Sequence, residues 1–237
     1  MALAPLPAGP EKRQMVREMF DRIAPRYDAL NRVMTAGLDQ RWRRTALTRI
    51  GVGPGDALID VACGTGDFAE LARARGARAV GIDMAGEMLR GARQRGACSA
   101  LVQADATALP FRSGCASVVT CGFALRNFET LAEPFAEMAR VLAPGGRLAL
   151  LEVDRPKSTL VRAGHALYFD RVVPWIGGML SDREAYAYLP RSVAYLPEEA
   201  ELLGLIERAG FTRVTRWPLG FGAVQLITAA RSGKNGA

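Results

Sequence analysis

Short apolar runs alternate with helically spaced apolar stripes along most of this chain. The runs fall near residues 57–62, 79–83, 99–103 and 117–121, and helical spacing occupies 66–75 and 85–95 between the early ones. A further helix is predicted at 131–142, after which Pro144-Gly145-Gly146 turns the chain into a strand ending at Glu152. Residues 198–209 read as a helix closed by Gly210, and 211–217 with 223–230 as a terminal strand pair. Strand and helix in alternation predict an α/β fold. Its mostly parallel seven-stranded sheet has helices on both faces and ends in an antiparallel pair. Ligands of such sheets bind beyond the carboxyl ends of the strands.

Two segments depart from the alternation. Residues 11–50 are helical in pattern, with Met15, Met19, Phe20 and Ile23 on one face. Pro25 is expected to break that run, a short helix to follow from Tyr27 to Gly37, and Asp39 to cap the next. Residues 159–189 are expected to form an apolar, aromatic-rich helical insertion over the mouth of the site, broken at Pro174 and Gly177-Gly178. The expected organisation is a disordered start at 1–10, N-terminal helices at 11–50 that close a site, a ligand-binding domain at 51–231 carrying the insertion, and a tail at 232–237.

The chemistry centres on Asp60-Val61-Ala62-Cys63-Gly64-Thr65-Gly66-Asp67, a strand, tight turn and helix start. Its glycines allow close backbone approach, and the helix N-terminus offers free N–H groups. The turn fits the dinucleotide pattern G-x-G-x-x-G/A, with Asp83 about where a ribose-binding acid belongs. Yet Asp60 and Asp67 bracket it and would repel a pyrophosphate. They suit a ligand with an ammonium group and a sulfonium, and one carboxylate of its own for the helix N–H groups. Asp83 ends the second run and can accept both ribose hydroxyls; Asp105 ends the third, near where an adenine amino group would lie. Acids at three successive strand ends resemble the Rossmann-like class I S-adenosylmethionine-dependent methyltransferases.

Composition narrows the setting. The chain has 31 basic and 24 acidic residues, a formal charge of +7, and only three lysines, Lys12, Lys157 and Lys234. The scattered arginines suit an anionic surface, but no RNA-binding signature or aromatic-interleaved basic run accompanies them. Four cysteines without a C-x-x-C pair, and the single His165, argue against a zinc site and for a reducing, cytoplasmic setting. No apolar run reaches membrane-spanning length.

Four stretches carry a closer resemblance. They are Met19 to Asn31 continuing to Gly37 and Trp42; Asp60 to Asp67; Phe123-Ala124-Leu125-Arg126-Asn127; and Arg140 to Leu148 running on to Glu152 and Pro156. The spacing of Tyr186, Tyr188 and Leu189 to Ser192 also matches. Over residues 15–228 the chain resembles the quinone-biosynthesis methyltransferases that C-methylate demethylmenaquinone or the ubiquinone precursor ring. That resemblance implies S-adenosylmethionine as cofactor, contacted by Asp60, Gly64, Thr65, Gly66, Asp83, Met84, Asp105, Ala106 and Gly122. It implies that Arg126 and Asn127 position a water that takes the hydroquinone proton, with Tyr27 closing the site. His165 is a further candidate by its pKa.

The implied partner is a prenylated quinol, met by a cytoplasmic enzyme peripheral at the inner face of the membrane. No metal or nucleic acid is called for, and a homodimer stays open. The sequence departs from the family pattern with Leu226 for a histidine, Gly122 for a serine and Val153-Asp154 for an aromatic-Ser pair. These departures keep a rival open, a methyltransferase of another small aromatic or secondary metabolite. A nucleic-acid base methyltransferase would use a Pro-Pro-aromatic loop where Cys121-Gly122-Phe123-Ala124 stands. A non-catalytic scaffold would not need the intact acids and glycines.

Overall fold

Every predicted run is a strand in the computed structural model, which describes residues 8–154, 188 and 191–233. The strands are β1 (Ala57–Val61), β2 (Arg78–Asp83), β3 (Ala100–Gln103), β4 (Ala116–Gly122), β5 (Leu142–Val153), β6 (Phe211–Leu219) and β7 (Val224–Arg231). They form one sheet in the order β3-β2-β1-β4-β5-β7-β6, with only β7 antiparallel to its two neighbours. β5 begins earlier than expected. Leu142 pairs with Ala116, the Pro144-Gly145-Gly146 turn bulges out, and pairing resumes at Val118 and Arg147.

Alternation along the strands sorts the core into two layers. Ile59, Val61, Val119, Leu148 and Leu150 face α5 (Ala132–Val141) and α6 (Glu199–Arg208), burying Phe135, Met138, Leu202 and Ile206. Leu58, Val118, Ala149 and Leu151 face α2 (Leu38–Arg49) and α3 (Asp67–Arg73), burying Leu47, Phe68 and Ala72. Leu226 belongs to this second layer. The insertion lies outside the described residues except for Tyr188, as do 1–7 and the tail from 234.

The N-terminal segment differs from its prediction. A single helix, α1, runs from Gly9 to Thr35 with Pro25 inside it, so the break at Pro25 and the separate helix from Tyr27 do not occur. Proline removes one backbone donor there. Packing offsets the loss: Val16, Met19 and Ile23 are buried against Ala85, Tyr188 and Met88, the last on α4 (Gly86–Gln94). Gly9 and Pro10 belong to this helix rather than to a disordered start. Gly37, not Asp39, occupies the N-cap of α2. Asp39 is buried instead, bonded to Thr35 Oγ1 at 2.9 Å, to Arg43 at 2.8 Å and to Arg32.

Candidate active site

A cavity of about 820 Å³, counting its open mouth, lies at the carboxyl ends of β1, β2, β3 and β4. Its floor comes from Val61, Ala62 and Gly64 after β1, Ile82, Asp83 and Met84 after β2, and Ala104, Asp105 and Ala106 after β3. Its side wall is the loop after β4, with Gly122, Phe123, Asn127 and Phe128. Arg13, Val16, Phe20 and Tyr27 of α1 form its roof. Ala62 and Phe123, at the ends of β1 and β4, both hold positive φ (53° and 60°), unusual for residues with a Cβ. Strained backbone of this kind collects at functional sites.

The glycine turn is tied to the second acid. Gly64 N–H donates to Asp83 Oδ2 at 2.8 Å, and Ala85 N–H donates to Oδ1 at 2.9 Å. Burial pushes the Asp83 carboxyl up to about 6 despite these bonds. Gly66 serves packing: its φ is +90°, and a Cβ there would lie 2.6 Å from that of Ala97. Asp105 accepts from Thr107 N–H at 2.9 Å and pairs with Arg13 at 3.4 Å. Two carboxylates at strand ends, in an aliphatic floor facing the aromatic residues of the wall and roof, can hold a polar, partly cationic molecule with flat rings.

The other two acids of the turn face elsewhere. Asp60 has the strand parity of Leu58, so it points toward α2 and α3 and accepts from Thr120 Oγ1 at 2.7 Å. Burial first, then the nearby Asp67 charge, pushes its carboxyl up to about 7. Asp67 is also buried. Arg43, Arg32 and Arg95 outweigh that burial and hold its carboxyl below the usual range. Thr65 Oγ1 is bonded to Asp28 of α1 at 2.5 Å, and Asp28 pairs with Arg95 at 2.8 Å.

A folded-state pKa near 7 for Asp60, against about 4 in the unfolded chain, means the native state binds the extra proton between those values. Asp60 therefore withdraws stability as pH rises through that window. Asp60→Asn should gain stability relative to the parent from about pH 4 to about pH 7, then hold a constant margin. Urea titrations at four pH values check this, and a margin independent of pH would refute it.

The loop after β4 is built on a buried ion pair. Arg126 pairs with Glu152 at the end of β5, and both are nearly inaccessible to water. Arg126 also donates from Nε to Ser192 Oγ at 3.1 Å and from a terminal nitrogen to Phe123 O at 2.8 Å. These bonds fix the short 3-10 turn Leu125–Asn127. Asn127 then faces the cavity, its Oδ1 accepting from Tyr188 Oη at 3.2 Å. With Oδ1 engaged, the side-chain amide keeps N–H donors for a ligand oxygen. Burial raises the Tyr27 phenol above its ordinary pKa, so it serves as a donor. Gly122 lines the wall where a Cβ would lie 2.8 Å from the Phe68 ring, which leaves no room for a serine unless that ring moves.

Of the predicted residues, Tyr27, Gly64, Asp83, Met84, Asp105, Ala106, Gly122 and Asn127 line the cavity. Asp60, Thr65, Gly66 and Arg126 do not. His165 lies outside the described residues. Sequence reasoning missed Arg13, Lys12 and the partnership of Tyr188 with Asn127. Lys12 is buried, with Nζ over the Tyr195 ring at 3.6 Å and bonded to Phe128 O, and burial lowers its pKa to about 8. Nothing local announces these contacts, which join residues 61 to 183 positions apart.

This strand order, with acids and a glycine turn at the carboxyl edge, defines a class I, Rossmann-like S-adenosylmethionine-dependent methyltransferase. A solved SAM-dependent methyltransferase of Thermotoga maritima shares the fold at 18% identity, with a TM-score of 0.62 over 92% of this chain and 100% of that one. The chain belongs to the ubiE/COQ5 methyltransferase family, whose sequence model matches residues 9–231. It is 39% identical to the demethylmenaquinone methyltransferase of Roseiflexus sp. strain RS-1, over 98% of this chain and all of that one. It is 45% identical to that of Deinococcus radiodurans, over 85% and 86%.

Proposed function

We propose that the chain transfers a methyl group from S-adenosylmethionine to a ring carbon of a demethylmenaquinol-like, prenylated hydroquinone. The observation that carries this reading is the aromatic cavity between Asp83 and Asn127, in a family whose relatives include demethylmenaquinone methyltransferases. Asp83 fits the ribose hydroxyls, Asp105 the adenine edge once Arg13 withdraws, and the Gly64 turn the methionine end. Met84, Ala106 and Gly122 supply apolar walls. Asp60, Thr65 and Gly66 act indirectly, by holding the turn.

The bound cofactor supplies an electrophilic methyl on a sulfonium. The protein's task is to align a carbon nucleophile with it. A ring carbon becomes nucleophilic when a neighbouring hydroxyl loses its proton. The Asn127 amide donates to that oxygen and stabilises the oxyanion. Phe20, Phe123 and Phe128 hold the ring, and Tyr27 closes over it from α1. Arg126, committed to Glu152 and Ser192, is a positioning residue rather than a reacting one.

Purified enzyme with tritiated methyl donor should label the ring of chemically reduced demethylmenaquinone, identified by mass spectrometry. Label only in soluble phenols would establish the rival small-aromatic activity. That rival draws on Leu226, but Leu226 is buried in the layer facing α2 and α3, outside the cavity lining. Asn127→Ala should lower kcat by about 10²-fold with cofactor affinity within about twofold. Tyr188→Phe should produce a smaller fall of the same kind. A parent-like kcat in Asn127→Ala would remove the oxyanion role.

A prenylated substrate implies collection at a membrane surface. No helix among the described residues is long and apolar enough to cross a membrane. Phe221 is 92% exposed at the β6–β7 turn, on the sheet edge that carries the cavity. Neighbouring Gly220 packs on Trp42, whose ring lies 6.4 Å from that of Phe123 in the cavity wall. We read this edge, with the 159–189 insertion, as the lipid contact. Flotation with anionic liposomes should fall at least about twofold in Phe221→Ser and in a Tyr168→Ser, Phe169→Ser double variant. Binding that is absent, or indifferent to both changes and to lipid charge, would remove this edge and the insertion as the lipid contact and favour the soluble-substrate rival.

A further inference from the structure

Two thiols that the reaction does not use meet beneath the glycine turn. Cys63 immediately precedes Gly64, and Cys98 lies between α4 and β3. They share the space above Gly81 on β2. A Cβ built there would lie 2.7 Å from Cys98 Sγ and 2.8 Å from Cys63 Sγ, so only glycine leaves room for both sulfurs. The same segment presses on the turn a second time, since a Cβ at Gly66 would be 3.4 Å from Cys98 Sγ. Both cysteines are free thiols, Cys63 buried and Cys98 half-buried. Their mutual hydrogen bond lowers the Cys98 pKa and raises that of Cys63 well above the ordinary thiol value, which makes Cys98 the more reactive sulfur.

We propose that Cys63 and Cys98 are a dithiol that a hydroperoxide converts to an intramolecular disulfide, and that this bond disables the cofactor site. The Cys98 thiolate attacks one oxygen of hydrogen peroxide, the O–O bond breaks, and the departing oxygen leaves as water after taking a proton. Cys63 sulfur then attacks the Cys98 sulfenic acid. The S–S bond forms, the S–O bond breaks, and the Cys63 proton leaves with the hydroxyl as a second water. Two thiols and one hydrogen peroxide thus give one disulfide and two waters.

The consequence follows from what Cys63 holds. Its N–H donates to Ile82 O at 2.8 Å, and its carbonyl accepts from Gly66 N–H at 2.9 Å. Drawing its sulfur to bonding distance, about 2 Å, pulls on the turn that sets Gly64 against Asp83. The bridge itself is independent of the proposed function, whereas its effect on binding rests on the cofactor reading.

The test treats the reduced full-length protein with equimolar hydrogen peroxide. Non-reducing peptide mass spectrometry should show a Cys63–Cys98 linked pair, lighter by two hydrogens. Calorimetry with S-adenosylhomocysteine should show affinity lowered by about tenfold or more and restored by dithiothreitol. Cys98→Ser should bind like the reduced parent before and after peroxide, and Cys115→Ser should respond like the parent. A bridge to Cys115 or Cys121, or no bridge, would overturn the assignment. A mapped Cys63–Cys98 bridge with unchanged affinity would overturn the switch. Reduced protein that binds no S-adenosylhomocysteine would count against the cofactor reading and leave the bridge to be judged by mass alone.

Discussion

Glu152→Ala should unfold at markedly lower urea, losing about 3–5 kcal/mol, because it strands a buried guanidinium. Glu152 is fully buried, and Arg126 is 6% exposed. The carboxylate also accepts the Val153 N–H at 2.8 Å, so its removal leaves that donor without its partner as well. The double variant Arg126→Met, Glu152→Leu should recover most of that stability, since no charge then remains unpaired. Its kcat should nonetheless stay low, because Arg126 no longer ties Phe123 and Ser192 around Asn127. A stable double variant with parent-like kcat would deny Arg126 any positioning role. A Glu152→Ala variant as stable as the parent would show that the pair is open to water.

Asp83→Ala should weaken S-adenosylmethionine binding by about 1.5–3 kcal/mol, the range for hydrogen bonds to a charged group. Stability should fall too, since Gly64 and Ala85 N–H would lose their acceptor. Asp83→Asn, which retains one acceptor oxygen, separates binding from folding. Ribose hydroxyls are better held by the ionised carboxylate, and burial sets that carboxyl near 6. Affinity should therefore decline as pH drops through about 6, and the decline should vanish in Asp83→Asn. Calorimetry across pH 5–8 reads both effects; a parent with flat affinity over that range would mean that Asp83 does not meet the ligand as a carboxylate.

The sheet was legible because its physics is local. A run such as Leu58-Ile59-Asp60-Val61 followed by Gly64 and Gly66 has few solutions other than strand and turn. Acids at the ends of β2 and β3 fall beside the cavity because the carboxyl edge of a parallel sheet is where ligands gather. Asp60 misled because motif position says nothing of facing; period-two alternation turns it to the other layer. Pro25 misled because proline's cost is local, whereas the stripe Val16, Met19 and Ile23 gains its stabilisation from distant partners. Arg126 and Asn127 were found together, but their roles divide according to Glu152, Tyr188 and Ser192, each at least 26 residues away. Arg13 carried no signal at all, since its partners Asp105 and Glu129 come near it only in the folded chain.

The roof helix is fastened unequally at its two ends. Toward its C-terminus, Arg32 is held by Asp67 at 2.9 Å and by buried Asp39. Toward its N-terminus, Arg13 is half exposed and reaches Asp105 at 3.4 Å and Glu129 at 2.6 Å. Dissolved salt screens exposed pairs far more than buried ones. Raising ionic strength should weaken the Arg13 contacts above Asp105 first, while neighbouring Lys12, buried over the Tyr195 ring and bonded to Phe128 O, keeps that end of the helix in place. Access to the Asp105 corner then becomes a property of one side chain, Arg13, and turnover limited by product departure would quicken with salt before the fold itself weakens.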